Sequence, residues 1–316
     1  MANKLSYAEL LEAGVHFGHL RKKWNPKMLP YIFMERKGIH IIDLNKTLES
    51  LEETAGAMKS IARSGKKILF VATKKQAKEI VAEAAKKVNM PYVTERWLGG
   101  MLTNFSTIRK SIKKMQSIDK MMNDGTFENI TKKERLQLSR EKMKLEKVLG
   151  GIAGLVRLPA AVYIVDIGNE HIALAEARRL NVPTMGMVDT NCDPTLVDHA
   201  IPSNDDAAKS IAMITNYLTD AIIEGLEERR KDKEESDAAG TTVEDEDGNN
   251  IDRNLAAVGE GDGDRDRQRR GPGGPGGRRG GPGGGGGRPG GGAGRPGGGA
   301  PGNRPSAPRG AGGGRR

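Results

Sequence analysis

The sequence predicts an α/β protein in which helices flank a parallel sheet, with an inserted helical hairpin and a disordered C-terminal tail. Short, continuous apolar runs alternate with helical segments, which is typical of parallel strands buried on both faces. A highly charged helical stretch at 105–149 interrupts this alternation. No aromatic residue follows Tyr217, so the C-terminal region lacks the side chains that build a core.

Capping residues and apolar spacing predict the N-terminal elements. We expect a short helix at 6–13 and then two short strands at 31–34 and 39–42, joined by a Lys-Gly turn. Asp43 can cap a helix that runs over 44–63.

A strand-turn-helix unit then occurs twice. The first has a strand at 68–72 and a helix from about 76, and the second has a strand at 162–165 and a helix from about 170. Another strand is predicted at 184–188, and Ser203 can cap a last helix over 205–229. These elements form a doubly wound, Rossmann-like α/β domain made of residues 1–104 and 150–230.

The inserted segment 105–149 carries a thin apolar seam at helical spacing. A Thr131-Glu134 capping-box pattern restarts the helix after the break NDGTFENI. We therefore predict two long helices in an antiparallel coiled-coil hairpin that protrudes from the sheet domain. The apolar positions are Ile108, Ile112, Met115, Ile118, Met122, Leu138, Leu145 and Leu149.

The net charge of +10 is unevenly distributed along the chain. Residues 1–230 hold 36 basic and 28 acidic residues, and residues 231–270 hold 7 basic and 13 acidic residues. Residues 271–316 hold 8 Arg, 24 Gly and no acidic residue. We predict a basic folded body, an acidic disordered linker at 231–270 and a disordered Gly/Pro/Arg-rich tail at 271–316. The tail either contacts RNA through its arginines or is a dispensable extension.

Several classes of protein are excluded by what the sequence lacks. Cys192 is the single cysteine, so we expect no internal disulfide and no cysteine zinc cluster, as suits a reducing cytosol. No run reaches the roughly 18 apolar residues of a membrane span, and we expect no signal peptide. Neither G-x-G-x-x-G nor a P-loop is present, so neither dinucleotide-binding nor P-loop geometry is indicated, and we expect no small-molecule substrate.

Clusters of cations beside aromatic residues favour RNA as the anionic partner. Arg and Lys contact phosphates, and exposed rings stack on unpaired bases. The alternatives are a solvated helix start at 74–75, a solvated face at 109–114 and tryptophans that belong to the core. The candidate RNA-binding residues are Arg21, Lys22, Lys23, Trp24, Lys74, Lys75, Arg96, Arg109, Lys110, Lys113 and Lys114.

A divalent metal is the one cofactor for which the sequence offers ligands. His16 and His19 lie three residues apart and could share an ion with Asp189, Asp205 or Asp206, since imidazole and carboxylate are common metal ligands. Histidines that pack in a core or form hydrogen bonds in a turn are commoner, so we expect no cofactor, and the metal site is the alternative.

Four long stretches resemble the bacterial small-subunit ribosomal protein two family: GVHFGHLRKKWNPKMLPYIFMERKGIHIIDLNKTL, ILFVATKKQAKE, RWLGGMLTNFSTIRKSIKK and VDTNCDPTLVDHAIPSNDDAAKSI. The resemblance covers about 5–226 without large gaps. It implies a Rossmann-like domain with a helical hairpin and a cytoplasmic, ribosome-bound, non-enzymatic protein. It further implies contacts with small-subunit rRNA and with neighbouring ribosomal proteins, including the large mRNA-capturing one that the family helps to anchor.

The Gly99-Gly100 pair is predicted to permit a tight turn between sheet and hairpin rather than to cradle a nucleotide phosphate. Trp97 and Phe105 would brace that junction. Two other functions stay open on the residues alone. One is an enzyme that binds a nucleotide at the sheet edge, and the other is a free RNA chaperone that works through residues 231–316.

Overall fold

In this computed structural model, residues 5–124 and 130–238 are described, with side chains described as far as 235. The predicted tail at 271–316 lies outside the described residues, as does the predicted acidic linker from 239 onward.

The main sheet has five parallel strands in the order β5-β4-β6-β7-β8. Every residue of β4, β6 and β7 is buried, because helices cover both faces. This confirms the predicted fold class. The strands are β4 Ile68–Val71, β5 Tyr92–Val93, β6 Ala161–Val165, β7 Thr184–Val188 and β8 His199–Pro202.

A separate hydrophobic core covers each face of this sheet. Leu10, Leu51, Val81 and Ile211 contribute to the first core, whereas Trp97, Ile112 and Leu174 contribute to the second. Helices α1 Tyr7–Glu12, α2 Leu44–Arg63, α3 Lys78–Lys87 and α7 Ala208–Ala238 pack in the first core, and α6 His171–Arg179 in the second.

A small antiparallel sheet precedes α2, with the strand order β1-β3-β2. Strand β3 Ile39–Ile42 has the predicted bounds, and β2 Ile32–Arg36 begins one residue later and ends two residues later than predicted. Strand β1 Phe17–Leu20 was not predicted. The pairing between β2 and β3 is irregular: Ile32 lies opposite Ile42, but Met34 lies opposite Ile41. Phe33 is therefore the extra residue of a β-bulge.

The inserted segment forms two helices, α4 Phe105–Asn123 and α5 Lys132–Leu149. The Thr131 hydroxyl accepts a hydrogen bond from the backbone N–H of Glu134, as the capping pattern predicted. Four apolar side chains of α4 are buried, and Ile108 and Ile112 join the second core of the sheet domain. The helix pair is thus present and anchored at its base, while its coiled-coil geometry stays a prediction.

Helix α7 differs from the prediction at both ends. Ser203 is not the cap, because its hydroxyl donates to the Ile201 carbonyl, while the Asn204 side chain accepts from the N–H groups of Asp206 and Ala207. The helix then continues to Ala238, nine residues beyond the expected end. Residues 231–238 of the predicted disordered linker are therefore helical. Arg63 on α2 donates to Asp232 at 2.9 Å, which fastens this extension to the domain.

Candidate functional site

Ionisable residues collect at the carboxyl edge of the main sheet. Lys74, Asp166, Asp189 and Asp205 follow β4, β6, β7 and β8, and the carboxyl ends of parallel strands meet at one edge. His19 reaches the same place from β1. We call these residues together with Asp206 the acidic cluster.

The Lys74 ammonium lies inside the acidic cluster. Its Nζ atom is 2.7 Å from Asp205 Oδ1, 2.5 Å from Asp206 Oδ1 and 3.4 Å from Asp166 Oδ2. Burial acts to lower the pKa of Lys74, but the hydrogen bonds to Asp205 and Asp206 raise it well above its ordinary value. Lys74 therefore serves as the cation of the cluster, and its predicted contact with RNA stays a prediction.

His19 bridges two carboxylates of the cluster. Its Nδ1 atom is 2.9 Å from Asp189 Oδ2, and its Nε2 atom is 3.4 Å from Asp206 Oδ2. The hydrogen bond to Asp189 is the main cause that raises the pKa of His19 above its usual value. The strand that carries His19 is held in place by a 2.8 Å hydrogen bond from the His19 N–H to the Thr190 hydroxyl.

Asp205 is fully buried, and its Oδ2 atom has no hydrogen-bond partner among the described residues. Burial, and then the nearby charges of Asp166 and Asp189, raise the pKa of Asp205. His19, Asp205 and Asp206 each offer one ligand atom, and these atoms lie within 4.8 Å of one another. The structure thus brings together four of the five predicted metal ligands.

His16 is the predicted ligand that the structure does not place in this group. Its ring packs against Phe17 with 4.0 Å between centroids, and its buried Nδ1 atom has no hydrogen-bond partner in the part of the chain that the structure describes. Burial lowers the pKa of His16, so the neutral imidazole is favoured.

A second carboxylate site lies under the Gly99-Gly100 loop and was not predicted. Glu176 Oε1 accepts from the Trp97 indole at 3.1 Å and from the Gly100 N–H at 2.7 Å. Glu176 Oε2 accepts from the Leu102 N–H at 3.0 Å and from both the N–H and the hydroxyl of Thr103 at 3.0 and 3.1 Å. Burial acts to raise the pKa of Glu176, but these bonds lower it below its ordinary value.

The Gly99-Gly100 loop therefore binds an anion, which is the Glu176 carboxylate of the same protein. Gly100 has φ +87°, which turns its N–H toward Glu176 and explains the glycine. Trp97 is buried and Phe105 is partly buried in the second core, which agrees with the predicted bracing of this junction. The surrounding sequence AEARRL is rich in charged residues and is typical of an exposed helix surface, so it did not predict that Glu176 is buried.

The cations of α4 lie on its solvent face. Arg109, Lys110, Lys113 and Lys114 are all exposed, while Ile108 and Ile112 beside them are buried. Lys114 contacts Glu141 on α5. Within the described part of the chain the other three form no ion pair. We call these four cations the α4 basic face.

The remaining candidate RNA-binding residues lie in two other places. Lys75 and Arg96 are exposed in the loops after β4 and β5. Arg21, Lys22 and Lys23 form an exposed turn, in which Arg21 pairs with Glu35 at 3.3 Å. Trp24 follows this turn half-buried, with its ring 5.1 Å from that of His40.

Cys192 offers no nucleophile for catalysis. It is buried, and burial followed by the charges of Asp166 and Asp205 raises the pKa of its thiol to about 12. The reactive thiolate is therefore absent at neutral pH.

The decisive comparison is with a family described as Ribosomal protein S2, whose sequence profile matches residues 10–225. The chain belongs to this family. Relatives named small ribosomal subunit protein uS2 agree with the assignment. The Cytophaga hutchinsonii protein is 62% identical over 236 residues, which are 75% of this chain and 93% of that protein. The Flavobacterium johnsoniae protein is 64% identical over 234 residues, or 74% of this chain and 92% of that protein.

As a member of the ribosomal protein S2 family, the protein is a structural constituent of the small ribosomal subunit and not an enzyme. The nucleotide-binding enzyme considered above is therefore rejected, and the Rossmann-like sheet serves as a scaffold. None of the helices within 5–124 and 130–238 has the length and hydropathy to cross a membrane.

Proposed function

We propose that the protein is held in the small subunit by contacts between rRNA phosphates and the α4 basic face. The proposal rests on the difference between the two sides of α4, one apolar and buried and the other basic and exposed. Its apolar side is buried, so Arg109, Lys110 and Lys113 have to point away from the domain. Cations that neutralise phosphates release counterions and supply most of the affinity for nucleic acid.

The exposed turn Arg21–Lys23 and the loop residues Lys75 and Arg96 add further basic positions on the sheet domain. Separate basic surfaces can bind separate rRNA segments, which suits a protein that holds folded RNA in place. The same proposal makes the protein cytoplasmic and ribosome-bound.

Charge reversal tests the proposal. A variant with Glu at Arg109, Lys110, Lys113 and Lys114 should assemble poorly into small subunits and be lost in a moderate-salt wash, as followed by sucrose-gradient sedimentation. The matched control reverses four exposed cations of α5: Lys132, Lys133, Arg140 and Lys144. Normal assembly of the α4 variant, or an equal loss in both variants, would contradict a specific role for the α4 basic face.

Protein neighbours form the second part of the proposal. The family resemblance supports a role in anchoring the large mRNA-capturing protein of the small subunit. Small subunits assembled without this chain should then lack that protein, and adding the chain back should restore it. Retention of the mRNA-capturing protein on subunits that lack this chain would rule the role out.

A divalent cation is a second candidate ligand, and the orphaned Asp205 Oδ2 atom favours it. We propose that His19, Asp205 and Asp206 bind a transition-metal ion such as Zn²⁺. The bond from His19 to Asp189 holds the ring and leaves Nε2 facing Asp206, as in histidine ligands oriented by a carboxylate. The chemistry of one imidazole and two carboxylates fits zinc.

Titration calorimetry with Zn²⁺ tests this site on the full chain. His19→Gln and Asp205→Asn should each abolish one tight site, whereas His171→Gln should leave it intact, because His171 is an exposed histidine on α6. Equal zinc binding in all three variants would contradict the proposed ligands.

A further inference from the structure

Strand β2 is unusual because four of its five residues are exposed. Phe33 is 69% exposed and is followed by the exposed Met34, whereas β4, β6 and β7 of the main sheet are wholly buried. An aromatic ring left in water forgoes the free energy of burial, so its position calls for a physical explanation.

The backbone provides part of that explanation. Phe33 occupies the β-bulge, so no residue of β3 lies opposite it. Bulges re-aim a side chain away from the regular alternation of the sheet and are common beside functional sites. The bulge therefore presents the Phe33 ring to solvent at the edge of the small sheet, since β2 is an edge strand.

The far end of the edge strand that carries Phe33, and the turn after it, are positively charged. Arg36 ends β2 and Lys37 follows it in the turn, and both are exposed. The Arg21 N–H donates to the Gly38 carbonyl at 3.0 Å, which places the exposed Lys22 beside the same turn. The acidic residue of β2 is Glu35, and Arg21 pairs with it. Lys22, Arg36 and Lys37 form no ion pair with any described residue.

We propose that Phe33 stacks on an unpaired RNA base while Lys22, Arg36 and Lys37 contact phosphates further along the same RNA strand. An exposed ring on a strand that ends in cations matches single-stranded RNA, which offers base faces and backbone charges along one chain. A purely apolar protein partner would leave these three charges unpaired at the edge of the contact. This inference rests on the proposed RNA-binding function and assigns one surface to unpaired RNA.

The two tryptophans do not offer an equivalent platform. Trp97 is buried and donates to Glu176, and Trp24 packs half-buried against His40. The sequence singled out these two residues because they stand beside cations, but the structure exposes the phenylalanine instead.

Binding of the full chain to a short single-stranded RNA and to a fully paired RNA duplex tests the proposal. Phe33→Ala should lower the affinity for the single strand about tenfold and leave the affinity for the duplex unchanged, because only unpaired bases stack on a side chain. Phe33→Tyr should keep the wild-type affinity for the single strand, whereas Phe33→Leu should lower it as Phe33→Ala does. Leu29→Ala is the matched control, since Leu29 is 63% exposed and lies nearby before β2. The Arg-rich tail is present in every variant, so its contribution cancels.

Three results would overturn the inference. These are wild-type affinity of Phe33→Ala for the single strand, an equal loss on single strand and duplex, and recovery by Phe33→Leu as complete as by Phe33→Tyr. The last would show an apolar contact in place of stacking. Failure of the broader RNA-binding proposal is distinct, because it would appear as normal subunit assembly of the α4 charge-reversal variant, whatever Phe33 does.

Discussion

Glu176 and Asp205 are both buried carboxylates, but their environments differ. Glu176 accepts five hydrogen bonds from one loop, and its pKa is lowered. Asp205 shares its surroundings with other carboxylates, one of its oxygens has no partner among the described residues, and its pKa is raised.

This difference distinguishes a structural carboxylate from one with capacity for a ligand. Backbone N–H groups that converge on Glu176 compensate its desolvation and leave no acceptor position for anything else. At Asp205, Lys74 supplies only part of the compensation, so an added cation would improve the electrostatics. The contrast predicts a large loss of stability on substitution of Glu176 and a small change on substitution of Asp205.

The largest expected effect is on stability at Glu176. Glu176→Ala should lower the free energy of unfolding by about 3 kcal/mol, because several buried donors lose a charged acceptor. Chemical denaturation monitored by tryptophan fluorescence measures this directly, since Trp97 is one of the donors. Glu83→Ala, at an exposed position of α3, should change stability by less than about 0.5 kcal/mol. Similar values for both variants would show that the loop does not depend on Glu176.

The dependence of the free energy of unfolding on pH below neutrality provides a second test of the contrast between Glu176 and Asp205. The folded-state pKa of Glu176 is depressed below 4.5, so its contribution is present above that value and is lost as the pH falls through the folded pKa. Glu176→Gln should therefore flatten the fall in stability below about pH 4.5, and other acids contribute equally to both proteins. Parallel curves of stability against pH would contradict the assigned pKa shift.

A smaller effect is expected in the loop that cradles Glu176. Gly100→Ala should cost about 1 kcal/mol, because its φ is +87° and an added Cβ would lie 3.2 Å from Asn104 Cβ. Gly99→Ala is the internal control, since a Cβ at Gly99 meets no atom within 4 Å. Thermal melts measure the stability of the two variants. An equal loss of stability at both positions would argue against the strained turn at Gly100.

The smallest effect on stability is expected at the acidic cluster. Asp205→Asn, measured in a chelator, should change the free energy of unfolding by less than about 1 kcal/mol, because the carboxylate it replaces is incompletely compensated there. Zinc should then raise the melting temperature of the wild type and leave that of the variant unchanged. A loss as large as that of Glu176→Ala would mean that Asp205 is also a structural charge and that the comparison is wrong.

Local patterns determined much of this molecule. The continuous apolar runs of β4, β6 and β7 indicated buried parallel strands, and Asp43 marked the start of α2, where its side chain accepts from the Asn45 N–H. The helical spacing of Ile108 and Ile112 indicated α4, and the Thr131-Glu134 capping pattern indicated the start of α5. Each of these features is set by residues a few positions apart, so the sequence displays it directly.

Tertiary structure decided the features whose partners are distant. Strand β5 has two residues and β8 ends in a proline, so neither has a clear local pattern, and both exist because a neighbouring strand pairs with them. Helix α7 extends past 229 alongside α2, where Arg63 pairs with Asp232. Lys74 and Glu176 are charged residues that any local rule places in solvent, yet folding surrounds one with carboxylates and the other with N–H groups. Burial of a charge depends on partners that only the folded chain brings together.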